Sequence, residues 1–133
     1  MNIKAIHHIA ILTDKENYEI SRRFYTSVLG FDIIRETYRK ERDSYKLDLA
    51  IAGKYQIELF SFPDFRERGS YPEAKGLRHL AFAVEDVDAA AAELRTKGIP
   101  TEAVRIDELT GQKFVFFTDP NGQPLELYEE ANL

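Results

Sequence analysis

The chain has 133 residues, 44% of them hydrophobic and 31% charged, with a formal net charge of −5. That length accommodates one ordinary domain or two very small modules sharing a core, and the balance is that of a folded globular chain rather than a disordered or membrane one. With no cysteine, the sequence excludes disulfides, thiolate zinc sites, iron–sulfur clusters and cysteine nucleophiles, leaving nitrogen and oxygen as metal-binding atoms.

Elements follow from hydrophobic periodicity. Residues 4 to 12 alternate as a half-buried strand. Between 17 and 29, Ile20, Phe24 and Val28 recur every four residues and predict an amphipathic helix ended by Gly30. Three strands are expected next, at about 31 to 39, 45 to 52 and 55 to 61, with Gly53-Lys54 turning the chain between the last two. The charged stretch from Pro63 to Gly76 reads as a connector. After it the pattern recurs: a strand at 77 to 84, a helix with Val87, Ala91 and Leu94 on one stripe and Asp86 and Asp88 near its start, then Gly98. Strands at 101 to 106, 113 to 118 and 124 to 129 complete it, separated by Thr110-Gly111 and Asp119-Pro120-Asn121-Gly122. Asp14 interrupts the apolar run that starts at Ile9, so no membrane span or secretory leader is expected and a cytoplasmic location is the default. No cluster of basic and aromatic residues favours a nucleic-acid partner.

The chain thus repeats itself. His8-Ile9-Ala10-Ile11 matches His79-Leu80-Ala81-Phe82, and Ile57-Glu58-Leu59-Phe60 matches Leu125-Glu126-Leu127-Tyr128. Gly30 precedes Glu58 by 28 positions, and Gly98 precedes Glu126 by the same 28. The organisation expected is a single domain, residues 1–133, with a first module at about 4–62, the connector at about 63–76 and a second module at about 77–130.

Polar residues of metal-ligand type interrupt the most apolar strands at equivalent points: His8, Glu58, His79 and Glu126. Any one alone reads as a solvated or hydrogen-bonded strand residue. Together they read otherwise, because strand alternation turns each glutamate away from its aliphatic neighbours, and a carboxylate on a partly apolar face is costly unless paired or metal-bound. Two imidazoles and two carboxylates make an N2O2 set for a divalent ion, nickel, cobalt or zinc ahead of iron or manganese. Adjacent strand residues face opposite sides, so His7 is expected to be structural or to support His8 rather than to share its cavity. Arg39, Arg42, Arg105 and Lys113 are cations that could meet an anionic substrate, although solvated surface is the commoner role for each. No GxSxG, Walker A or GxGxxG sequence is present, so serine-hydrolase, P-loop and Rossmann chemistries lack their central residues.

From His7-His8-Ile9-Ala10-Ile11 through Val28-Leu29-Gly30-Phe31 to Asp119-Pro120-Asn121-Gly122 and Leu125-Glu126-Leu127, the chain resembles the vicinal oxygen chelate superfamily of glyoxalases, bleomycin-resistance proteins and extradiol dioxygenases. It looks most like a small bacterial glyoxalase I-like branch, of which Ile57 to Pro63 and Gly76 to Phe82 are typical. The resemblance implies an α+β fold of tandem βαβββ modules forming an open barrel-like mixed sheet around a metal. It also implies a homodimer with sites shared between chains.

The glyoxalase I pattern of His, Glu, His, Glu is filled by His8, Glu58, His79 and Glu126. This implies a lyase or isomerase that moves a proton through an enediolate on a small 2-oxo compound or its thiol adduct. Glu126 is then the mobile base, with Glu58 as ligand or as the group acting from the opposite side. Classical bacterial members carry an arginine four residues after the first histidine and an asparagine four after the first glutamate to hold glutathione. Leu12 and Phe62 stand there in this chain, which argues against glutathione as the thiol. The alternatives are a metal-containing small-molecule binding or resistance protein and a ferrous extradiol dioxygenase.

Overall fold

In the computed structural model of the chain, which describes residues 1–69 and 71–130, the alternating segments become strands of two separate sheets. The first compact unit is Met1–Glu67 and the second Arg68–Leu133, so the division falls inside the predicted connector, of which Ser70 lies outside the described residues.

The first unit contains β1 (Ile9–Asp14), α1 (Tyr18–Arg23), β2 (Asp32–Arg39), β3 (Ser44–Ile51) and β4 (Lys54–Phe62). Its sheet has the order β1-β4-β3-β2, with β1 parallel to β4 and the other pairs antiparallel. One face carries Ile11, Leu47, Leu49, Ile57 and Leu59, all buried. Each fully buried leucine is worth about 1.5–3 kcal/mol relative to exposure. The predicted helix is shorter than its periodicity suggested. After α1 the chain continues as a π-helical turn, Phe24–Val28, in which Leu29 N–H donates to the Phe24 carbonyl at 3.0 Å. That widened turn puts the adjacent Phe24 and Tyr25 both in the core, at 4% and 0% exposure, while Ile20 of the expected stripe is 58% exposed. Tyr18, Ser21, Phe24 and Tyr25 are the buried set instead.

The second unit contains β5 (Leu80–Val84), α2 (Val87–Thr96), β6 (Arg105–Ile106), β7 (Lys113–Thr118) and β8 (Pro124–Glu129), in the order β5-β8-β7-β6. Here the predicted stripe holds: Val87, Ala91 and Leu94 are all buried. Asp86 caps α2 by accepting from Ala89 N–H at 2.9 Å, and Gly98 leaves the helix at a φ of 82°, which favours glycine. The strand expected over 101 to 106 shrinks to two residues, Arg105 and Ile106.

The fold is therefore α+β with two βαβββ repeats, each carrying one four-stranded mixed sheet, and neither sheet closes into a barrel. Among the described residues no helix is long and apolar enough to cross a membrane.

Candidate metal centre and its surroundings

In each unit the parallel strand pair positions the histidine and glutamate. Ala10 of β1 lies beside Glu58 of β4, and Ala81 of β5 beside Glu126 of β8. His8 and His79 each sit two residues before that alanine, immediately ahead of their strands. Side chains two apart share a face, and alanine is too small to cover the carboxylate beside it. His8 Nε2 accordingly lies 3.1 Å from Glu58 Oε2, and His79 Nε2 lies 2.9 Å from Glu126 Oε2. Both carboxylates are 8% exposed. The structure thus joins the four predicted residues as two pairs, one in each unit. Among the described residues no group of three or more His, Asp or Glu side chains is gathered as a cation-holding cluster.

The donor chemistry suits a divalent ion. Each pair offers an imidazole nitrogen and a carboxylate oxygen at hydrogen-bond distance, atoms that a cation replacing the shared proton would take as ligands. His8 Nδ1 lies 2.8 Å from His7 Nδ1, and in the tautomer in which His8 Nδ1–H donates to His7 the lone pair of His8 Nε2 is free to ligate. His7 stands beside His8 rather than on the opposite side, and both rings contact Tyr55, at 5.2 and 5.6 Å between centroids. The alternation argument fails here because the strand begins only at Ile9.

Three residues around Glu58 escaped the sequence reading. Lys46 Nζ lies 2.9 Å from Glu58 Oε1 and 2.8 Å from Asp48 Oδ1, and the Tyr55 hydroxyl donates a short hydrogen bond to Glu58 Oε1. Burial raises the Glu58 pKa, but the Tyr55 hydrogen bond and the Lys46 ammonium outweigh it and hold the carboxyl below its ordinary value. Lys46 itself is pushed upward, first by its hydrogen bond to Asp48 and then, against the effect of burial, by Glu58. Burial and the Glu58 hydrogen bond raise the Tyr55 phenol, which stays protonated. Lys46 and Asp48 alternate with Leu47 and Leu49, a signal visible in the sequence, but only the register places them beside Phe60 and Glu58. Tyr55 is three residues from Glu58, a spacing that puts two strand residues on opposite faces. A register shift after Leu49 pairs Tyr55 with Ala50 and restores it to the Glu58 face.

The second unit surrounds its pair differently. Phe116 pairs with Glu126 and Phe114 with Tyr128, where the first unit has Asp48 and Lys46. The Phe116 ring meets His79 edge-on at 5.0 Å. Glu58 thus lies in a charged network and Glu126 against an aromatic wall.

The four cations fare unequally. Lys113 is paired with Asp88, and Arg105, stacked over Phe114 and Phe116, has Glu102 at 3.4 Å. Arg39 lies over Phe60 and Phe62, at 5.0 and 5.9 Å from the ring centroids, and Arg42 lies 4.6 Å from the Phe62 centroid. Arg39 Nε is buried without a hydrogen-bond partner.

Comparison with known proteins agrees with this organisation. The family model for the Glyoxalase/Bleomycin resistance protein/Dioxygenase superfamily matches residues 5–127. The chain is 59% identical to the uncharacterized protein YwkD of Bacillus subtilis over 98% of this chain and 100% of that one. It is 29% identical to a 2-epi-5-epi-valiolone epimerase from an Actinomyces species, over 92% of this chain and 78% of the epimerase. The crystal structure of a glyoxalase family protein from Enterococcus faecalis superimposes with a TM-score of 0.89 at 47% identity, covering 97% of this chain and 100% of that one.

Proposed function

Since the chain belongs to the glyoxalase/bleomycin resistance protein/dioxygenase superfamily, we propose that it is a metal-dependent, glyoxalase I-like lyase or isomerase. Its substrate is a small 2-oxo compound or the thiol adduct of one. The observation that carries this reading is the pair of His–Glu contacts, one per repeat, at 3.1 and 2.9 Å. His8, Glu58, His79 and Glu126 would hold the ion, completed between two chains of a homodimer in the cytoplasm.

Bound there, a divalent ion would act as a Lewis acid on a substrate with oxygens on adjacent carbons, stabilising the negative charge that develops on them. Glu126 takes the proton from one carbon and returns it to the next. Among the described residues its ion-pair partner is His79 rather than an ammonium, and Phe116 pairs beside it on β7, an arrangement that leaves the carboxylate uncommitted to a fixed cation and available as a general base. Glu58, held ionised by Lys46 and Tyr55, keeps its charge throughout and serves as ligand. His7 holds the outer nitrogen of His8. Removal and return of a proton at a single carbon would also serve an epimerase, the activity named for one relative.

The test begins with nickel, cobalt and zinc titrations of chelator-treated protein, followed by the same titrations of His8→Ala and His79→Ala. Each variant should lose metal affinity by at least tenfold. The reconstituted protein should then exchange deuterium at the carbon next to the carbonyl in methylglyoxal–thiol adducts. Unchanged affinity in both variants removes the four-ligand site. Metal binding without exchange on any adduct transfers the protein to the binding class, and ferrous-dependent oxygen consumption with a catechol identifies a dioxygenase.

A further inference from the structure

The face of the first sheet that bears His8 and Glu58 continues along the strands into an apolar shelf. Phe60 and Phe62 follow Glu58 at alternate positions of β4, their rings stacked 5.7 Å apart and 4° from parallel. Leu12 of β1 pairs with Phe60 and is 42% exposed. Four strand positions separate Glu58 from Phe62, roughly 13 Å of extended chain. At that far end Arg39 and Arg42 converge on the Phe62 ring.

Two guanidinium groups over one ring repel each other, and stacking on an aromatic face leaves their N–H edges unused. Among the described residues, neither has a carboxylate within ion-pair distance. The nearby Asp43 carboxylate is already taken by Lys15 and Tyr38. The Arg39 side chain is only partly exposed and its buried Nε bonds to nothing, so its charge is uncompensated within the unit. The second unit supplies the comparison. Its stacked guanidinium, Arg105, has its own counter-ion in Glu102. A partly buried guanidinium without a counter-ion, with a second, exposed guanidinium beside it, is unfavourable, and an external anion relieves it.

We propose that Arg39 and Arg42, seated on Phe60 and Phe62, bind an anionic group, carboxylate or phosphate, of a ligand whose apolar body lies on the Leu12–Phe60–Phe62 shelf. As a statement about substrate class this rests on the lyase reading: the substrate has its reacting oxygens at His8 and Glu58 and an anionic tail that reaches along the strand toward Phe62, about 13 Å away. The anion site itself exists with or without turnover.

The experiment uses the metal-free full-length protein and three probes of one shape: 2-naphthoate, 2-naphthyl phosphate and neutral 2-naphthamide. Binding is followed by calorimetry at low and at raised salt. The anions should bind at least tenfold more tightly than the amide, and raised salt should weaken only the anions. The stronger of the two anions identifies the natural group as carboxylate or phosphate. Arg42→Gln, at an exposed position, and Arg39→Gln should each weaken anion binding by about tenfold and leave amide binding unchanged. Arg105→Gln should change nothing. Equal affinity for anions and amide, or anion binding indifferent to both Arg39 and Arg42 substitutions, overturns the proposal. If Arg39→Gln fails to fold, Arg42→Gln alone decides. Because no metal is present, a failed catalytic reading leaves this result intact, and the reverse also holds.

Discussion

Lys46 Nζ lies 2.9 Å from Glu58 Oε1, whereas Phe114 occupies the corresponding position beside the Glu126 strand. With Asp48 replaced by Phe116 at the next facing position and Tyr55 bonded to Glu58, this difference separates the surroundings of the two carboxylates. The ammonium helps to hold the Glu58 carboxyl ionised, whereas Glu126 has aromatic neighbours in place of a fixed cation among the described residues.

Glu126→Gln and Glu58→Gln therefore have different expected outcomes. Both keep the size of the side chain and one ligand oxygen. With metal saturating, Glu126→Gln should lose about 10² to 10⁴ in the rate of deuterium exchange at the substrate carbon, because an amide cannot accept the proton. Glu58→Gln should bind metal more weakly but recover most exchange when metal is raised. The opposite pattern would move the base to Glu58.

Replacement of Lys46 by methionine leaves two buried carboxylates, Asp48 and Glu58, without their shared cation. The loss at neutral pH should be on the order of 2 to 3 kcal/mol, below that for a fully buried pair because Lys46 remains 25% exposed. The sign with pH follows from Glu58, whose folded pKa is depressed in the wild type. That stability is present above the unfolded pKa of about 4.3 and is lost as pH falls through the folded value. The gap between wild type and Lys46→Met should hence be widest near neutrality and narrow below about pH 4. Denaturant unfolding across that range, with carboxyl NMR of Glu58, measures both. A pH-independent gap would assign the loss to packing.

The chain should be a homodimer in solution. Light scattering at micromolar concentration should give twice the chain mass. A metal-replete monomer would refute a site shared between chains.

Asp86→Ala removes the side-chain acceptor for Ala89 N–H at the start of α2. Thermal or denaturant unfolding should show a loss of about 1 kcal/mol. Asp86→Asn should recover most of it, since the amide oxygen can accept the same bond.

The repeat, the α+β class, the second helix stripe and the equivalence of His8 with His79 and of Glu58 with Glu126 could all be read from the sequence, whereas the joining of each histidine to the glutamate of its own unit could not. Each legible feature depends on local alternation or on equal spacing in the two copies, and these survive folding unchanged. Alternation divides a strand into two faces, but it does not say which strand lies alongside or where a bulge resets the parity. Tyr55 reaches Glu58 only through such a shift, Lys46 and Asp48 only through the register of β3 on β4, and His7 meets His8 only because the strand starts after them. The π-helical turn buries Phe24 and Tyr25 together and leaves Ile20 in water, against a stripe drawn at helical period. Whether a cation meets a carboxylate was likewise decided in three dimensions: Lys113 finds Asp88 on α2 and Arg105 finds Glu102 nearby, whereas among the described residues Arg39 and Arg42 lie over aromatic rings with no carboxylate at ion-pair distance. The electrostatic environment of a side chain is set by neighbours remote in sequence, and those neighbours exist only once the sheet has formed.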